Sequence, residues 1–168
     1  MTASRAYIPA AATTDWRTPV EVVDLLHVLW GGKPSIDPCA SRNAPKSELI
    51  ADVNFFGGSP AQDGLLTPWN GTAFVNPPFG DLAAWVEKAR HEHAKRRTQV
   101  VLLLPARTDT RYWHDHISHS AAICFWRGRM RFLGATASAP FPTALVYWGS
   151  RPWDFHCVFS PRGMIVTP

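Results

Sequence analysis

The chain has 168 residues, a formal net charge of +4 at pH 7 and a pI near 9.3, a mild positive balance that fits a polyanionic partner. Hydrophobic residues make up 46% and charged residues 18%, which excludes a disordered chain and predicts one globular domain. No long apolar run or signal pattern occurs, and the three cysteines form no Cys-x-x-Cys motif, so we expect a cytoplasmic protein without membrane segment or zinc site.

The N-terminal region is predicted to be a loose arm over residues 1–14, followed by one domain over residues 15–168. Thr18 is expected to open the first helix, because Pro19 suits the first helical position and Glu21 completes a Thr-x-x-Glu capping box. Apolar residues then recur at helical spacing until Gly31, where a glycine favours the end of the helix.

A carboxylate ends the next predicted strand, Ser35 to Asp37. A buried acid at a strand tip can form a charge-assisted bond with an ammonium group, although an N-cap is the alternative role. Residues 42–62 are irregular, with a short strand expected near Leu49 to Ala51. Asp63-Gly64 follows, and this dipeptide is a common turn signature.

The most informative stretch is a short apolar strand, Thr72 to Val75, that stops at Asn76-Pro77-Pro78-Phe79. The Asn76 side-chain oxygen and the Pro77 carbonyl can both accept hydrogen bonds from a flat amino group. Two such acceptors would favour a pyramidal nitrogen and stabilise the positive charge that develops when it attacks an electrophile. Phe79 could stack on the ring that carries the amine. The alternative is a rigid turn between a strand and a helix.

The second half alternates helix and strand. Asp81 to Arg97 is predicted to form a helix with a basic run near its end, and Thr98 to Leu104 a strand that is apolar throughout, as in a parallel sheet. Strands are also expected at Ala121 to Trp126 and Thr143 to Trp148. The last twenty residues carry no clear pattern.

Arginines follow two of these strands. Arg107 comes after the strand that ends at Pro105, and Arg127, Arg129 and Arg131 alternate with other residues. If that segment continues as a strand, period two places the three arginines on one face, where they could contact a phosphate backbone. The alternative is a charged edge that prevents aggregation.

Histidines near residues 114–119 also suggest a metal site at first sight. His114, Asp115, His116 and His119 lie close in sequence, but on a helix they do not share one face at ligand spacing, apart from His116 and His119. We therefore favour a solvated helix and expect no metal.

Together these motifs resemble the DNA adenine-N6 methyltransferases of the Dam-like family carried by bacteriophages and prophages. The resemblance runs from Asp15 to Trp148, most of the chain. Besides Asn76 to Phe79 it is carried, in order, by Asp15 to Pro19, Asp37 to Ser41, Asp63 to Leu65 with Trp69, Leu104 to Thr110, and Gly128 to Phe132.

The resemblance implies S-adenosylmethionine as the cofactor. It places Thr18 and Pro19 beside the methionine part of the cofactor and Asp37 against its ammonium group, with the small Cys39 allowing close approach. Broader relatives carry glycines where this chain has Pro38 to Ala40, which changes the wall on which the cofactor rests.

The resemblance also implies contacts to the other end of the cofactor. An acidic residue usually binds the ribose, and Asp52 is the best candidate. Asp63 would accept a hydrogen bond from the adenine amino group of the cofactor, and Leu65 would pack on its ring.

The fold implied is the three-layer Rossmann-like methyltransferase fold: a mostly parallel sheet with an antiparallel strand near the C-terminus and a first half that is trimmed. Only 39 positions separate Asp37 from Asn76, too few for an inserted target-recognition domain. Contacts to the target must therefore come from the C-terminal half, or from a second subunit of a homodimer.

The reaction implied is methyl transfer to the N6 amino group of an adenine that is flipped out of double-stranded DNA, with Asn76, Pro77, Pro78 and Phe79 as the catalytic turn. The bacterial host would be the site of action, and evasion of restriction one role. The same motif also serves enzymes that methylate RNA adenine or protein glutamine. A catalytically inactive cofactor-binding or DNA-binding module is the non-enzymatic alternative.

Overall fold

A computed structural model describes residues 16–168 of the chain. The predicted arm over residues 1–14 and Asp15 lie outside the described residues. The helices are Val20–Trp30 (α1), Leu82–Arg96 (α2) and Pro152–Phe159 (α3), with a π-helical segment at Trp113–Ile117. The strands are Ile36–Asp37 (β1), Val53–Asn54 (β2), Thr72–Val75 (β3), Gln99–Pro105 (β4), Ala122–Trp126 (β5), Thr143–Trp148 (β6) and Gly163–Val166 (β7).

The seven strands form a single mixed sheet in the order β2-β1-β3-β4-β6-β5-β7. The first four strands along the chain are parallel to one another, whereas β6 is antiparallel to both β4 and β5, and β7 is antiparallel to β5. The predicted mixed α/β chain with a parallel first half is confirmed. Because β1 to β5 all point the same way, their carboxyl ends meet at one edge of the sheet.

Helices cover both faces of this sheet. In β4 the buried residues alternate, with Val100, Leu102 and Leu104 packed in the cluster that contains α2. Val101 and Leu103 belong to the opposite cluster, which contains α1 and α3. Burial on both faces explains why this strand is apolar throughout. None of the helices within residues 16–168 is long and apolar enough to cross a membrane.

The first helix begins differently from the predicted capping box. Pro19 is the N-cap and no side chain caps the helix, so the predicted Thr18–Glu21 capping box is wrong. The Thr18 hydroxyl instead accepts a hydrogen bond from the Asn76 amide, which lies 58 residues away in sequence. The predicted end is confirmed, because Gly31 adopts a left-handed conformation with φ of 72°.

The second strand also differs from its prediction. It covers Val53–Asn54 rather than Leu49 to Ala51, and it is defined only by its pairing with β1. Ile50 and Ala51 are buried, but in the turn that leads into the strand. A strand of two residues carries no alternation that could fix its position in the sequence.

The arginine segment is not a strand. The strand β5 ends at Trp126, and Gly128 turns the chain with a φ of 76°, so the expected common strand face of the three arginines is wrong. Alternation resumes after this turn, with Met130 and Phe132 buried while Arg129 and Arg131 are exposed. Arg127 is exposed as well, so the segment still presents three guanidinium groups to solvent.

A buried ion cluster on α2 fixes the loop that precedes β3. Glu92 is 2% exposed, and its carboxylate accepts hydrogen bonds from the Trp69 backbone N–H at 3.0 Å and from Lys88 at 2.8 Å. Arg96 adds an ion pair at 3.0 Å. Burial alone would raise the pKa of Glu92, but the bonds from Lys88 and Trp69 and the two positive charges outweigh it and lower the pKa. The indole of Trp69 is fully buried beside this cluster.

We expect Glu92→Gln to lower the free energy of unfolding by about 2 kcal/mol near neutral pH, because Lys88, Arg96 and the Trp69 N–H lose a charged partner. Since the folded-state pKa of Glu92 is lowered, its contribution is present above the unfolded pKa and lost as pH falls through the folded pKa. Urea unfolding at neutral and acid pH measures both effects. Glu87→Gln, at an exposed position of the same helix, is the matched control, and an equal loss in both variants would contradict the assignment.

Candidate active site

The carboxyl edge of the sheet gathers the polar residues that the sequence singles out. Asp37 ends β1, and Asn76 follows β3, which is the next strand in the sheet. The loop 127–142 leaves β5 and enters β6 at this same edge, because β6 runs in the opposite direction. In open α/β sheets ligands bind in crevices outside the carboxyl ends of the strands.

A cavity of about 310 Å³ lies at this edge, a size at the lower end of ligand pockets. It brings together residues of the predicted cofactor site and of the predicted catalytic turn. The predicted site residues in its wall are Thr18, Asp37, Cys39, Asn76, Pro77 and Pro78.

The orientation of the Asn76 amide is fixed by the chain segment that precedes α1. Its nitrogen Nδ2 donates to the Trp16 backbone carbonyl at 2.5 Å and to the Thr18 hydroxyl oxygen at 3.1 Å. Both amide hydrogens are therefore used. The oxygen Oδ1 is buried and has no hydrogen-bond partner among the described residues. An unpaired buried acceptor costs about 1–3 kcal/mol, so this atom is available to a donor that none of the described residues supplies.

Asp37 is a second buried polar group in the same cavity. It is 6% exposed and accepts a hydrogen bond from the Cys39 backbone N–H at 3.0 Å. Desolvation by burial raises the pKa of Asp37 to about 7, against the lowering effect of its bonds to Cys39. Burial, followed by the charge of Asp37, also raises the pKa of the Cys39 thiol well above its ordinary value. A bound cation would compensate the desolvated carboxylate.

Phe79 lies in an aromatic cluster next to the cavity. Its ring is stacked on Trp16 with centroids 6.1 Å apart, and it meets Phe141 edge-on at 5.4 Å and Phe132 at 6.1 Å. Phe79 is partly exposed, so it is held in place on its packed sides. No packing partner of Phe79 is evident from local sequence; in the structure its partners come from Trp16 and from the loop 127–142.

Other predicted cofactor residues do not line the cavity. Pro19 borders a shallower depression next to it, together with Arg131. Asp63 accepts a hydrogen bond from the Leu65 backbone N–H, and this turn packs behind the tip of β1, where a Cβ added at Gly64 would stand 2.0 Å from the Pro38 carbonyl oxygen.

Asp52, expected to bind the ribose, is exposed and lies at the amino end of β2. The structure does not bring it to the cavity. Asn54 occupies the carboxyl end of β2, level with Asp37, and its side-chain oxygen is buried without a partner among the described residues.

The exposed arginines are distributed around the site rather than within it. Arg107 follows β4, and Arg127, Arg129 and Arg131 belong to the loop 127–142, so all four lie beyond the carboxyl ends of their strands. The basic end of α2 lies at the opposite edge of the sheet, because that helix runs from the end of β3 back to the start of β4.

Sequence reasoning did not assign many residues of the cavity wall to the site, and Trp16, Arg17 and Glu48 are among them. Arg17 Nη1 binds Glu48 Oε2 at 2.6 Å across the wall, and the Arg17 carbonyl accepts a hydrogen bond from the Leu133 N–H at 2.8 Å. These contacts join distant parts of the chain, so no local pattern indicates them. Among residues 16–168 no group of acidic, histidine or cysteine side chains could hold a metal ion.

Comparison with known proteins adds one finding. A family model described as DNA N-6-adenine-methyltransferase (Dam) matches residues 5–144, which include every residue of the cavity wall. A search of curated proteins gave no match.

Asp37→Asn should stabilise the unliganded protein at alkaline pH. A raised folded-state pKa means that the contribution of Asp37 to stability is present below its unfolded pKa and is lost as pH rises through about 7. The asparagine keeps the acceptor for the Cys39 N–H but cannot ionise. We expect similar melting temperatures for both proteins below about pH 4, and at alkaline pH an advantage for the variant on the order of 4 kcal/mol. A variant that is less stable at alkaline pH would show that Asp37 is paired when unliganded.

Proposed function

The chain belongs to the DNA N-6-adenine-methyltransferase (Dam) family, and from this premise we propose which of its residues perform the reaction. The enzyme is an adenine-specific DNA methyltransferase. Its reaction centre is the cavity in which Asn76 and Asp37 meet. The observation that carries this proposal is the buried, unpaired oxygen of an amide whose nitrogen is already bound.

S-adenosylmethionine is the proposed cofactor, and it supplies an electrophilic methyl group on a sulfonium when it is bound. Asp37 fits the ammonium group of such a molecule, because its buried carboxylate lacks a positive partner among the described residues. Cys39 adds a small, uncharged wall next to it, and Thr18 lines the same cavity with its hydroxyl engaged by Asn76. Pro19, Asp63 and Leu65 lie around the cavity rather than in its wall, and Asp52 has no part in the proposal.

The target is proposed to be an adenine that is flipped out of double-stranded DNA, at a cost of a few kcal/mol for unstacking. Asn76 Oδ1 and the Pro77 carbonyl accept from the N6 amino group and stabilise the charge that develops on nitrogen. Pro78 keeps the turn rigid, and the partly exposed ring of Phe79 supports the base. Positioning provides the rest of the rate enhancement, and solvent removes the proton after transfer.

The remaining features of the proposal rest on the resemblance and the topology. We place the described residues in one three-layer Rossmann-like domain whose first half is trimmed, since β1 and β2 have only two residues each. No separate target-recognition domain is invoked. A homodimer is one arrangement that would extend the DNA surface. The enzyme would act in the cytoplasm of a bacterial host, encoded by a phage or prophage and protecting DNA from restriction.

The loop 127–142 is the proposed contact with DNA. It carries Arg127, Arg129 and Arg131 at the edge where the cavity opens, and Arg107 lies at the same edge. Guanidinium groups bind phosphate oxygens well, and phosphate contacts fix the register of a protein on the duplex. Arg129 is the first choice because its side chain is exposed directly before Met130, whose buried side chain anchors the loop.

We predict that Asn76→Ala abolishes methyl transfer to adenine and preserves binding of S-adenosylmethionine, because the lost acceptor faces the target amine. Asp37→Asn is the matched comparison, and its cofactor affinity should fall by about tenfold or more, as charged hydrogen bonds contribute roughly 1.5–3 kcal/mol. Calorimetry measures binding, and modification sequencing of DNA from an expressing host measures transfer. Equal loss of cofactor binding in both variants would contradict the division of roles. Transfer to RNA or protein glutamine instead of DNA would contradict the proposed substrate.

We predict that Arg129→Ala weakens DNA binding and lowers the slope of log affinity against log salt by about one, as expected for one lost phosphate contact. Lys95→Ala, at an exposed position near the basic end of α2 and the opposite edge, is the control and should leave the slope unchanged. Titration with specific and scrambled duplexes separates phosphate contact from base contact, because a base contact changes only sequence preference. Parent-like binding of both duplexes by Arg129→Ala would exclude this residue from the DNA surface.

A further inference from the structure

We propose that the Trp16 carbonyl and the Thr18 hydroxyl are a positioning device for the catalytic amide, and that they commit this chain to asparagine, rather than aspartate, at position 76. The proposal deepens the proposed function and rests on it. Thr18 is thereby assigned to the catalytic turn, whereas the sequence resemblance places it beside the cofactor.

The geometry determines which way the amide faces. A backbone carbonyl can only accept, so the group that lies 2.5 Å from the Trp16 oxygen must be the amide nitrogen. Rotation of the amide by a half turn would bring Oδ1 against that oxygen, an acceptor against an acceptor. The second acceptor, Thr18 Oγ1, takes the other amide hydrogen at 3.1 Å. The free oxygen is therefore held away from this segment, and none of the described residues donates a hydrogen bond to it.

The segment that holds the amide is itself held from two other parts of the chain. The Arg17 carbonyl accepts the Leu133 N–H at 2.8 Å, and its guanidinium binds Glu48 at 2.6 Å. Gly134 lies so close that an added Cβ would stand 2.2 Å from Arg17 Nη2. Since Leu133 and Gly134 belong to the loop 127–142, the loop proposed to bind DNA also supports the residues that orient Asn76.

An aspartate at position 76 would conflict with this arrangement in its charged form. A carboxylate would bring a negative oxygen against the Trp16 carbonyl, where only a donor fits. A protonated carboxyl group would instead donate its hydrogen to that carbonyl and keep its second oxygen free, as the amide does. The activity of Asn76→Asp should therefore depend on protonation at position 76.

Other titratable groups share the cavity and need to be separated from this effect. They are Asp37, Cys39, Arg17 and Glu48. All are present in both proteins, so the ratio of variant to parent kcat at each pH removes their own titration to first order. This ratio should fall as pH rises, by up to about tenfold per pH unit above the pKa of the introduced carboxyl. A ratio that stays constant with pH would overturn the proposal.

Thr18→Val and Thr18→Ser provide a second, independent test. Valine keeps the shape of threonine and removes the acceptor, so kcat should fall by about three- to tenfold, the range for one neutral hydrogen bond. Serine retains the hydroxyl and should recover most of the loss. The affinity for S-adenosylmethionine, measured by calorimetry, should stay close to that of the parent in both variants. Weaker cofactor binding with unchanged kcat in Thr18→Val would return Thr18 to the cofactor site and overturn the proposal.

Failure of this proposal can be distinguished from failure of the proposed function. An active Asn76→Ala protein would remove the catalytic role of Asn76, and the proposed function would fail first. If Asn76→Ala is inactive while Thr18→Val matches the parent and the Asn76→Asp ratio is constant, only the positioning role fails. Circular dichroism and melting temperatures of all variants show that each comparison is made between folded proteins.

Discussion

An amide has two hydrogens to donate and one oxygen to accept, and in Asn76 both hydrogens are already used inside the protein. This constraint leaves a single free function, a buried acceptor, at the point where the sheet ends. The three residues that follow Asn76 hold this acceptor in place. Prolines at 77 and 78 stop the strand, and Phe79 is fixed by Trp16, Phe132 and Phe141, so the acceptor and the aromatic ring keep a constant relation.

The sheet explains why this acceptor and the buried acid Asp37 meet. β1 and β3 are neighbours and parallel, so the residues at their carboxyl ends face one cavity although they are 39 positions apart in sequence. The antiparallel β6 begins at this edge, so the loop that connects β5 to β6 lies here and carries the exposed arginines. Burial at this site raises the pKa of Asp37, and the positive charge of a bound cofactor would stabilise the ionised carboxylate.

Sequence reasoning located the elements whose signals are local. Prolines mark the end of β3, and an uninterrupted apolar run marks β4, which is buried on both faces. It failed where position depends on distant pairing. Strand β2 exists only through its contact with β1, and the C-terminal segments α3 and β7 are too short to show a clear period. Exposed and buried residues alternate over residues 129–132, but the turn at Gly128 separates this segment from strand β5. Within the site, Asn76 was found from its motif, whereas its bonds to Trp16 and Thr18 span 60 and 58 residues and leave no local trace.

All the proposed roles depend on the binding of the target amine by the free oxygen of Asn76. A crystal structure of the enzyme with a demethylated cofactor product and a duplex that contains its target site tests this claim most directly. We expect the adenine N6 atom at hydrogen-bond distance, about 2.7–3.2 Å, from Asn76 Oδ1, with Nδ2 still bound to Trp16 and Thr18. A flipped adenine whose N6 atom is bound elsewhere, or an Asn76 amide that turns its nitrogen toward the base, would contradict it.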